Sequence, residues 1–300
     1  MLKDNLLKDI EGVEVELNKD LSKFSTMRLK AYGDLITVGS VESLSSVLKK
    51  LKELKIEFIV LGMGANQLLK RESSLPYLMI KFPFDKNSLN EKKEIYTLPA
   101  SVRLSVLTSH ASKFALKGWE VFTGVPATLG GAIFMNAGTG LGEIGELVTK
   151  VWLMNSNGES RFVEINKDSF SYRKNNFVEA GEVIYQVEMK HFGEDSEVTE
   201  VIRKYLGRRN ATQPMKEKTC GCVFKNSNFD GLPCPAGKFV DIIGLKGLQV
   251  GGIRISDIHG NFMENCDDAT YDDVVALINI VQREMKLQFG VDFELEVKAK

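Results

Sequence analysis

The chain has 300 residues, 43% hydrophobic and 26% charged, which gives room for about two globular domains and excludes a disulfide-stapled module, a coiled coil or a disordered chain. Lys and Arg number 39 against 40 Asp and Glu, a net charge of -1, so no global field draws the protein to nucleic acid or an anionic membrane. The four cysteines, Cys220, Cys222, Cys234 and Cys266, match no zinc ribbon or CxxC spacing and follow no secretory signal, so reduced thiols in a cytoplasmic protein are expected.

Residues 35–39 read as a short buried strand. The spacing Leu44, Val47, Leu48, Leu51 and Leu54 behind Ser43 predicts a capped helix, and 58–61 a second strand. This βαβ unit ends at Gly62-Met-Gly-Ala-Asn66, a turn just beyond a strand's carboxyl end, the position that ligands favour in α/β folds. Its glycines suit a close backbone approach to a pyrophosphate. Gln67, however, stands where the Rossmann pattern has its third glycine, and a structural turn accounts for the same residues.

An amphipathic helix is predicted from about 104 to 116, followed by the run Thr123-Gly-Val-Pro-Ala-Thr-Leu-Gly-Gly-Ala-Ile-Phe-Met-Asn-Ala-Gly138. Thr123, Gly130, Gly131 and Asn136 interrupt its apolar residues, so it is not a membrane span. From Gly124 onward it carries no charged side chain, and its glycines imply that backbone approaches something closely, either a packing partner or a bound cofactor.

Strands at 148–154 and 160–165 flank Asn157-Gly158, a hairpin signal, and 183–191 supplies another strand. Residues 196–209 predict a helix with Val198, Val201, Ile202 and Tyr205 on one face, and a domain boundary falls near 200. After Gly244, Gly247, Gly251 and Gly252 comes a helix capped by Thr270 with Asp273 and stopped by Gly290. Residues 293–297 alternate like a strand, with Glu294 and Glu296 on one face.

His110, His191 and His259 form no metal-ligand spacing, and no metal site is expected. Cys222 lies beside Gly221 and four residues before Asn226, a place for either a proton donor or an inert buried thiol. Arg173 stands between the aromatics Phe170 and Tyr172 on one side and Phe177 on the other, held by them or solvated. Glu296 reads equally as an exposed strand residue.

In order, these segments resemble the UDP-N-acetylenolpyruvoylglucosamine reductases, flavoenzymes of peptidoglycan precursor synthesis. The family's LGxGSN element is similar to Leu61-Gly-Met-Gly-Ala-Asn66, GIPGxxGGAxxMNAG to residues 124–138, YR to Tyr172-Arg173, RRxxxQP to residues 208–214, and GSxFKNP to residues 221–227. The AG, GLKG, GG and HANF landmarks are similar to Ala236-Gly237, Gly244-Leu-Lys-Gly247, Gly251-Gly252 and His259-Gly-Asn-Phe262, and LEPEV to residues 293–297.

The resemblance implies an α+β protein: a two-subdomain FAD-binding fold of the vanillyl-alcohol-oxidase/PCMH type (1–80 and 81–200) and a C-terminal α+β substrate-binding domain (201–300). The short path from Arg173 to Cys222 implies the type II form. It implies noncovalent FAD held by Leu61, Gly62, Gly64, Ala65, Asn66, Gln67, Gly124, Pro126, Ala127, Thr128, Gly130, Gly131, Asn136 and Gly138. NADPH is the co-substrate, and no separate Rossmann domain is needed. The other substrate is UDP-N-acetylglucosamine enolpyruvate, with Arg209, Asn226, Lys246 and His259 near its diphosphate and carboxylate. A monomer without nucleic-acid or membrane partners is expected.

The implied catalytic residues are Arg173, which stabilises the enolate, Glu296, its partner at the carboxylate, and Cys222, where the family usually has serine. A thiol ordinarily titrates near ~8.5, so it can donate a proton at neutral pH, and an alkaline limb and sensitivity to alkylation are expected. Ala65 for Ser, Ser227 for Pro, Gly260 for Ala and Leu295 for Pro are milder departures. Two other readings stay open: another FAD-dependent oxidase or dehydrogenase of this fold, and a catalytically silent flavin- or sugar-nucleotide-binding relative.

Overall fold

The computed structural model describes residue 2 and residues 6–229 and 232–299. Its contacts divide the chain into two units, Met1–Leu17 with Asp34–Gly62 and Ser74–Gly207, and Asn18–Gly33 with Met63–Ser73 and Arg208–Lys300. The second unit therefore draws two early segments to the C-terminal third, a division that a linear reading of the chain does not reveal.

In the first unit the helix Val41–Glu53 buries Leu44, Val47, Leu48 and Leu51, the apolar stripe that the spacing predicts. Its cap is Ser40 rather than Ser43: the Ser40 hydroxyl accepts from the Ser43 N–H at 3.0 Å, and the Ser43 hydroxyl accepts from the Ser40 N–H at 3.0 Å. Ser43 is thus the third helical residue of a reciprocal capping box. The strands around the helix, Tyr32–Val38 and Ile59–Val60, are not neighbours. Tyr77–Ile80 lies between them and pairs parallel with both. The crossover is as predicted, but the intervening strand is too short for its periodicity to stand out.

A second sheet orders Ser160–Glu164, Val148–Met154, Val183–Lys190 and Ile95–Pro99, all antiparallel. The Asn157-Gly158 hairpin forms in the register Ser160↔Met154. Its loop runs from 155 to 159, with Asn155 Oδ1 accepting from the N–H of Asn157 and of Glu159. The helix Leu104–Phe114 stops at Ala115, in the left-handed region at φ 53°. Leu104, Leu107 and Ala111 join a core with Trp119 and Phe122.

In the second unit the helix Tyr271–Phe289 has both predicted ends: a capping box between Thr270 and Asp273, and Gly290 at φ 68°. Val274, Leu277, Val281 and Met285 pack with Val223, Phe224, Ile253 and Ile255, and with Met27, Leu29 and Leu68 from the early segments. Asn265 sews these stretches together, since its Nδ2 donates to the carbonyls of Met27 and Arg28, each at 3.0 Å, while its Oδ1 accepts from the Ala269 N–H at 2.9 Å. Residues 293–297 do not form a ladder strand. Leu295 makes one bridge to Phe224, and regular pairing begins at Lys298–Ala299, parallel to Gln67–Leu68.

Gly252 is fixed by contact. A Cβ there would lie 2.0 Å from the Asp267 carbonyl oxygen and 2.7 Å from the Ala269 nitrogen, backbone atoms next to the Cys266 N–H that donates to the Gly252 carbonyl at 2.9 Å. Gly252→Ala should cost about 2–3 kcal/mol. By contrast, Gly207→Ala, in the helix Val198–Thr212 with nothing near the new methyl, should stabilise by about 0.5–1 kcal/mol. Denaturant unfolding of the two variants checks both signs.

Candidate active site

The first unit brings together its two glycine-bearing segments. Leu61 is buried, and its N–H donates to the Leu78 carbonyl at 2.9 Å, which delivers Gly62 just past the strand. A Cβ on Gly62 would lie 2.9 Å from Thr128 Oγ1, and one on Gly131 would lie 3.3 Å from the same atom. Thr128 precedes the short helix Leu129–Phe134 without capping it through its side chain. One hydroxyl is thus flanked by two bare glycines, in a stretch whose Gly124, Ala127 and Thr128 are half-buried and whose Pro126 and Gly131 are exposed. This cradle, which a single methyl would fill, suits a flat anionic cofactor approached by backbone.

The glycines divide between the two alternatives that the sequence leaves open. Gly130 serves packing, because its Cβ would lie 2.7 Å from Ala100 Cβ, and its N–H donates to the Ala100 carbonyl at 2.9 Å. In the second unit, Gly64, at φ 60°, leaves room for the Phe24 carbonyl, 2.3 Å from a would-be Cβ. The neighbouring Ala65, Asn66 and Gln67 are half-buried, and Gln67 pairs with Lys298.

Arg173 stands in a two-residue turn between Phe170–Ser171 and Lys174–Asn175. Its φ of 54° is unusual for a non-glycine residue and marks a conformation held by its surroundings. The guanidinium carbon lies 5.0 Å from the Tyr172 ring centroid, and Nη2 donates to the Gly138 carbonyl at 3.0 Å. Phe170, by contrast, packs edge-on against Phe177. Asn136 is 1% exposed. Its Nδ2 donates to Glu143 Oε2 at 2.6 Å and to the Ser171 carbonyl at 3.1 Å, while its Oδ1 accepts from the Gly145 N–H at 3.1 Å.

In the second unit, Cys222 and Glu296 lie on adjoining backbone. Val223 donates to the Asn261 carbonyl at 3.0 Å and accepts from the Glu296 N–H at 2.8 Å, and Lys225 donates to the Glu294 carbonyl at 2.8 Å. Asn261 completes the clamp, with Oδ1 accepting from the Phe224 N–H at 2.9 Å and Nδ2 donating to the Phe224 carbonyl at 2.8 Å. On the other side of Glu296, Asn66 Nδ2 donates to the Glu296 carbonyl at 3.0 Å. Cys222 is half-buried. Burial pushes the neighbouring Cys220 thiol up to about 12, with Cys222 and Glu296 adding to the shift. Cys220 therefore stays protonated and inert.

Three of the predicted substrate residues gather at the helix Ala236–Ile242. Asn226 Oδ1 accepts from the Ala236 N–H at 3.0 Å. The His259 ring lies against Gly237, whose Cβ would be 2.8 Å from Cε1, and Lys246 pairs with Asp241 at 3.0 Å. Burial, with Lys246 adding to it, lowers the His259 pKa against the pull of a backbone hydrogen bond. Since Nδ1 accepts from the Asn261 N–H at 3.2 Å, this neutral ring has its proton on Nε2 and acts as a donor without charge. Arg209 bonds Gln213 on its own helix, Nε to Oε1 at 2.8 Å. The sequence reading assigns no role to Glu143 or Asn261, although Asn261 lies within the quoted His259–Phe262 landmark.

Residues 213–299 match the family model of the UDP-N-acetylenolpyruvoylglucosamine reductase C-terminal domain, and residues 35–163 that of an FAD binding domain. The UDP-N-acetylenolpyruvoylglucosamine reductase of Carboxydothermus hydrogenoformans is 32% identical, over 99% of this chain and 97% of its own. This chain belongs to the UDP-N-acetylenolpyruvoylglucosamine reductase family. The reductase of Alkaliphilus oremlandii is 31% identical over 95% of this chain and 92% of its own. The crystal structure of the Thermus caldophilus reductase superposes with a TM-score of 0.78 at 29% identity, covering 96% of this chain and 98% of that one. The resemblance carried by the motifs is therefore membership of the reductase family, and the expected α+β fold, an FAD-binding domain with the family's C-terminal domain, is borne out. No described helix is long and apolar enough to cross a membrane.

Proposed function

We propose that this reductase converts UDP-N-acetylglucosamine enolpyruvate to UDP-N-acetylmuramate in peptidoglycan precursor synthesis, using NADPH and noncovalent FAD, as a cytoplasmic monomer. The observation that carries the reading is the chain-long match to reductases of this name, which includes both an FAD-binding and a reductase C-terminal segment.

Bound FAD supplies the redox chemistry, a hydride equivalent taken from NADPH and one delivered to C3 of the enolpyruvyl group. The glycine cradle around Thr128 Oγ1 would hold this cofactor, with Gly62, Gly124 and Gly131 offering backbone. Delivery at C3 leaves negative charge on C2 and the conjugated carboxylate, and a fixed cation stabilises that charge as it forms. Arg173 takes this role, pre-oriented by the Tyr172 ring and the Gly138 carbonyl. The Cys222 thiol gives the proton to C2, and Glu296 polarises the carboxylate and orients the donor. Asn226, Lys246 and neutral His259 supply hydrogen bonds and charge for the diphosphate.

The test is anaerobic reduction of the purified flavoprotein with NADPH, then addition of the enolpyruvyl sugar nucleotide, followed at the flavin band near ~450 nm. Bleaching followed by recovery is expected. Bleaching without recovery would favour a different acceptor or a silent relative, and absence of flavin would overturn the reading.

A further inference from the structure

We propose that Asn136, Glu143 and Gly138 form a positioning unit that aims the Arg173 guanidinium, an inference that rests on the catalytic role of Arg173 given above. The amide of Asn136 offers two N–H donors and one carbonyl acceptor, and all three functions are engaged within the protein. Its partners are not scattered. Ser171 begins the turn that carries Arg173, Glu143 pairs with Gly138 in a short hairpin, and Gly138 accepts the Arg173 hydrogen bond. Asn136 itself is held at φ 42°, a backbone state that only a few non-glycine residues, Asn foremost, adopt readily. Asn175 adds a further tie by donating through Nδ2 to the Phe134 carbonyl at 2.8 Å.

Gly138 supplies the space in which the cation sits. A Cβ there would lie 2.8 Å from Arg173 Nη1 and 3.0 Å from Glu143 Cγ. The guanidinium and the carboxylate side chain therefore flank the same empty point, and only a residue without a side chain leaves both in place. The nearest obstacle to a methyl group is the tip of a flexible side chain, so Gly138→Ala displaces Arg173 more readily than it disturbs the fold.

The test compares Asn136→Ala, Gly138→Ala and Glu143→Gln, singly and each combined with Arg173→Ala, in the flavin-loaded protein. Flavin content is measured first, then substrate-driven reoxidation across substrate concentrations. A misplaced catalytic group costs up to about a hundredfold. The Asn136 amide and the bare Gly138 are engaged by the arginine's turn and guanidinium instead of making the cofactor contact that the family resemblance implies for them, so these variants should keep their flavin and lose roughly tenfold to a hundredfold in limiting rate, with half-saturation changed less. In the Arg173→Ala background the same substitutions should cost no more than about twofold, because there is no guanidinium left to aim.

Loss of flavin in these variants would overturn the proposal in favour of cofactor contact. Native reoxidation rates in Gly138→Ala would overturn it even if Asn136→Ala fails to fold, and so would losses that add to that of Arg173→Ala. If Arg173→Ala alone reoxidises at the native rate, the catalytic reading of Arg173 fails and the positioning role fails with it.

Discussion

Arg173→Ala should slow substrate-driven flavin reoxidation by about 10²- to 10³-fold, the loss seen when one preorganised donor to a developing anion is removed. The effect is large because the guanidinium is placed before substrate arrives. Its backbone is held in the left-handed region, its guanidinium carbon lies 5.0 Å from the Tyr172 ring centroid, and Nη2 is bound to the Gly138 carbonyl. Arg173→Lys should recover little, since an ammonium is a point charge that lacks the fork geometry toward a carboxylate. Single-turnover reoxidation of both variants, normalised to bound flavin, measures the loss. A rate within a fewfold of native would remove Arg173 from the chemistry.

Cys222→Ala should cost about 10²- to 10⁴-fold in turnover, the contribution of a positioned proton donor, whereas Cys222→Ser should keep most of the activity. The backbone of residues 222–225 is bound on one side by Asn261 and on the other by Glu294 and Glu296, so a hydroxyl placed on it occupies nearly the position of the thiol. The two donors differ in pH behaviour. A thiol ionises within the ordinary working range and a hydroxyl does not, so the alkaline limb expected of the native protein should be absent from the serine variant. Alkylation gives a second measure. Cys220 and Cys234 are buried and Cys266 is exposed, so labelling is read in a Cys266→Ser background, where inactivation should follow modification of Cys222. Full activity after complete labelling of Cys222 would sink the assignment.

The elements that were legible in the sequence are those whose signals are local. Thr270, Asp273 and Gly290 mark both ends of the helix Tyr271–Phe289 because capping is decided within one turn. Ser40 shows the limit of such marks, since a reciprocal pair of serines reads as a cap from either end. Tyr77–Ile80 is set in place by parallel pairing on both edges, which four residues do not announce. The alternation at 293–297 foretells which side chains are buried, Phe293 and Val297 among them, but not that the segment makes an isolated bridge instead of a ladder.

At the site, each glycine was legible as a place without room for a methyl group, and the occupant of that room was not. Gly130 yields to Ala100, Gly64 to the Phe24 carbonyl, and Gly138 to Arg173. Asn261 is not legible because its partner, Phe224, lies 37 residues away, and Glu143 because its bond to Asn136 depends on a two-residue hairpin that no spacing encodes.

The interleaving of the second unit limits how this protein can be recombined. Met27, Leu29 and Leu68 are at most 2% exposed in a core otherwise drawn from residues beyond 208, and Asn265 finds two of its acceptors at residues 27 and 28. A fragment or chimera cut at 213–299, the segment matched as a C-terminal domain, leaves a buried amide and a stripe of core without counterparts. A functional exchange between relatives must carry residues 18–33 and 63–73 along with 208–300, so the exchangeable unit here is three threads of chain rather than one.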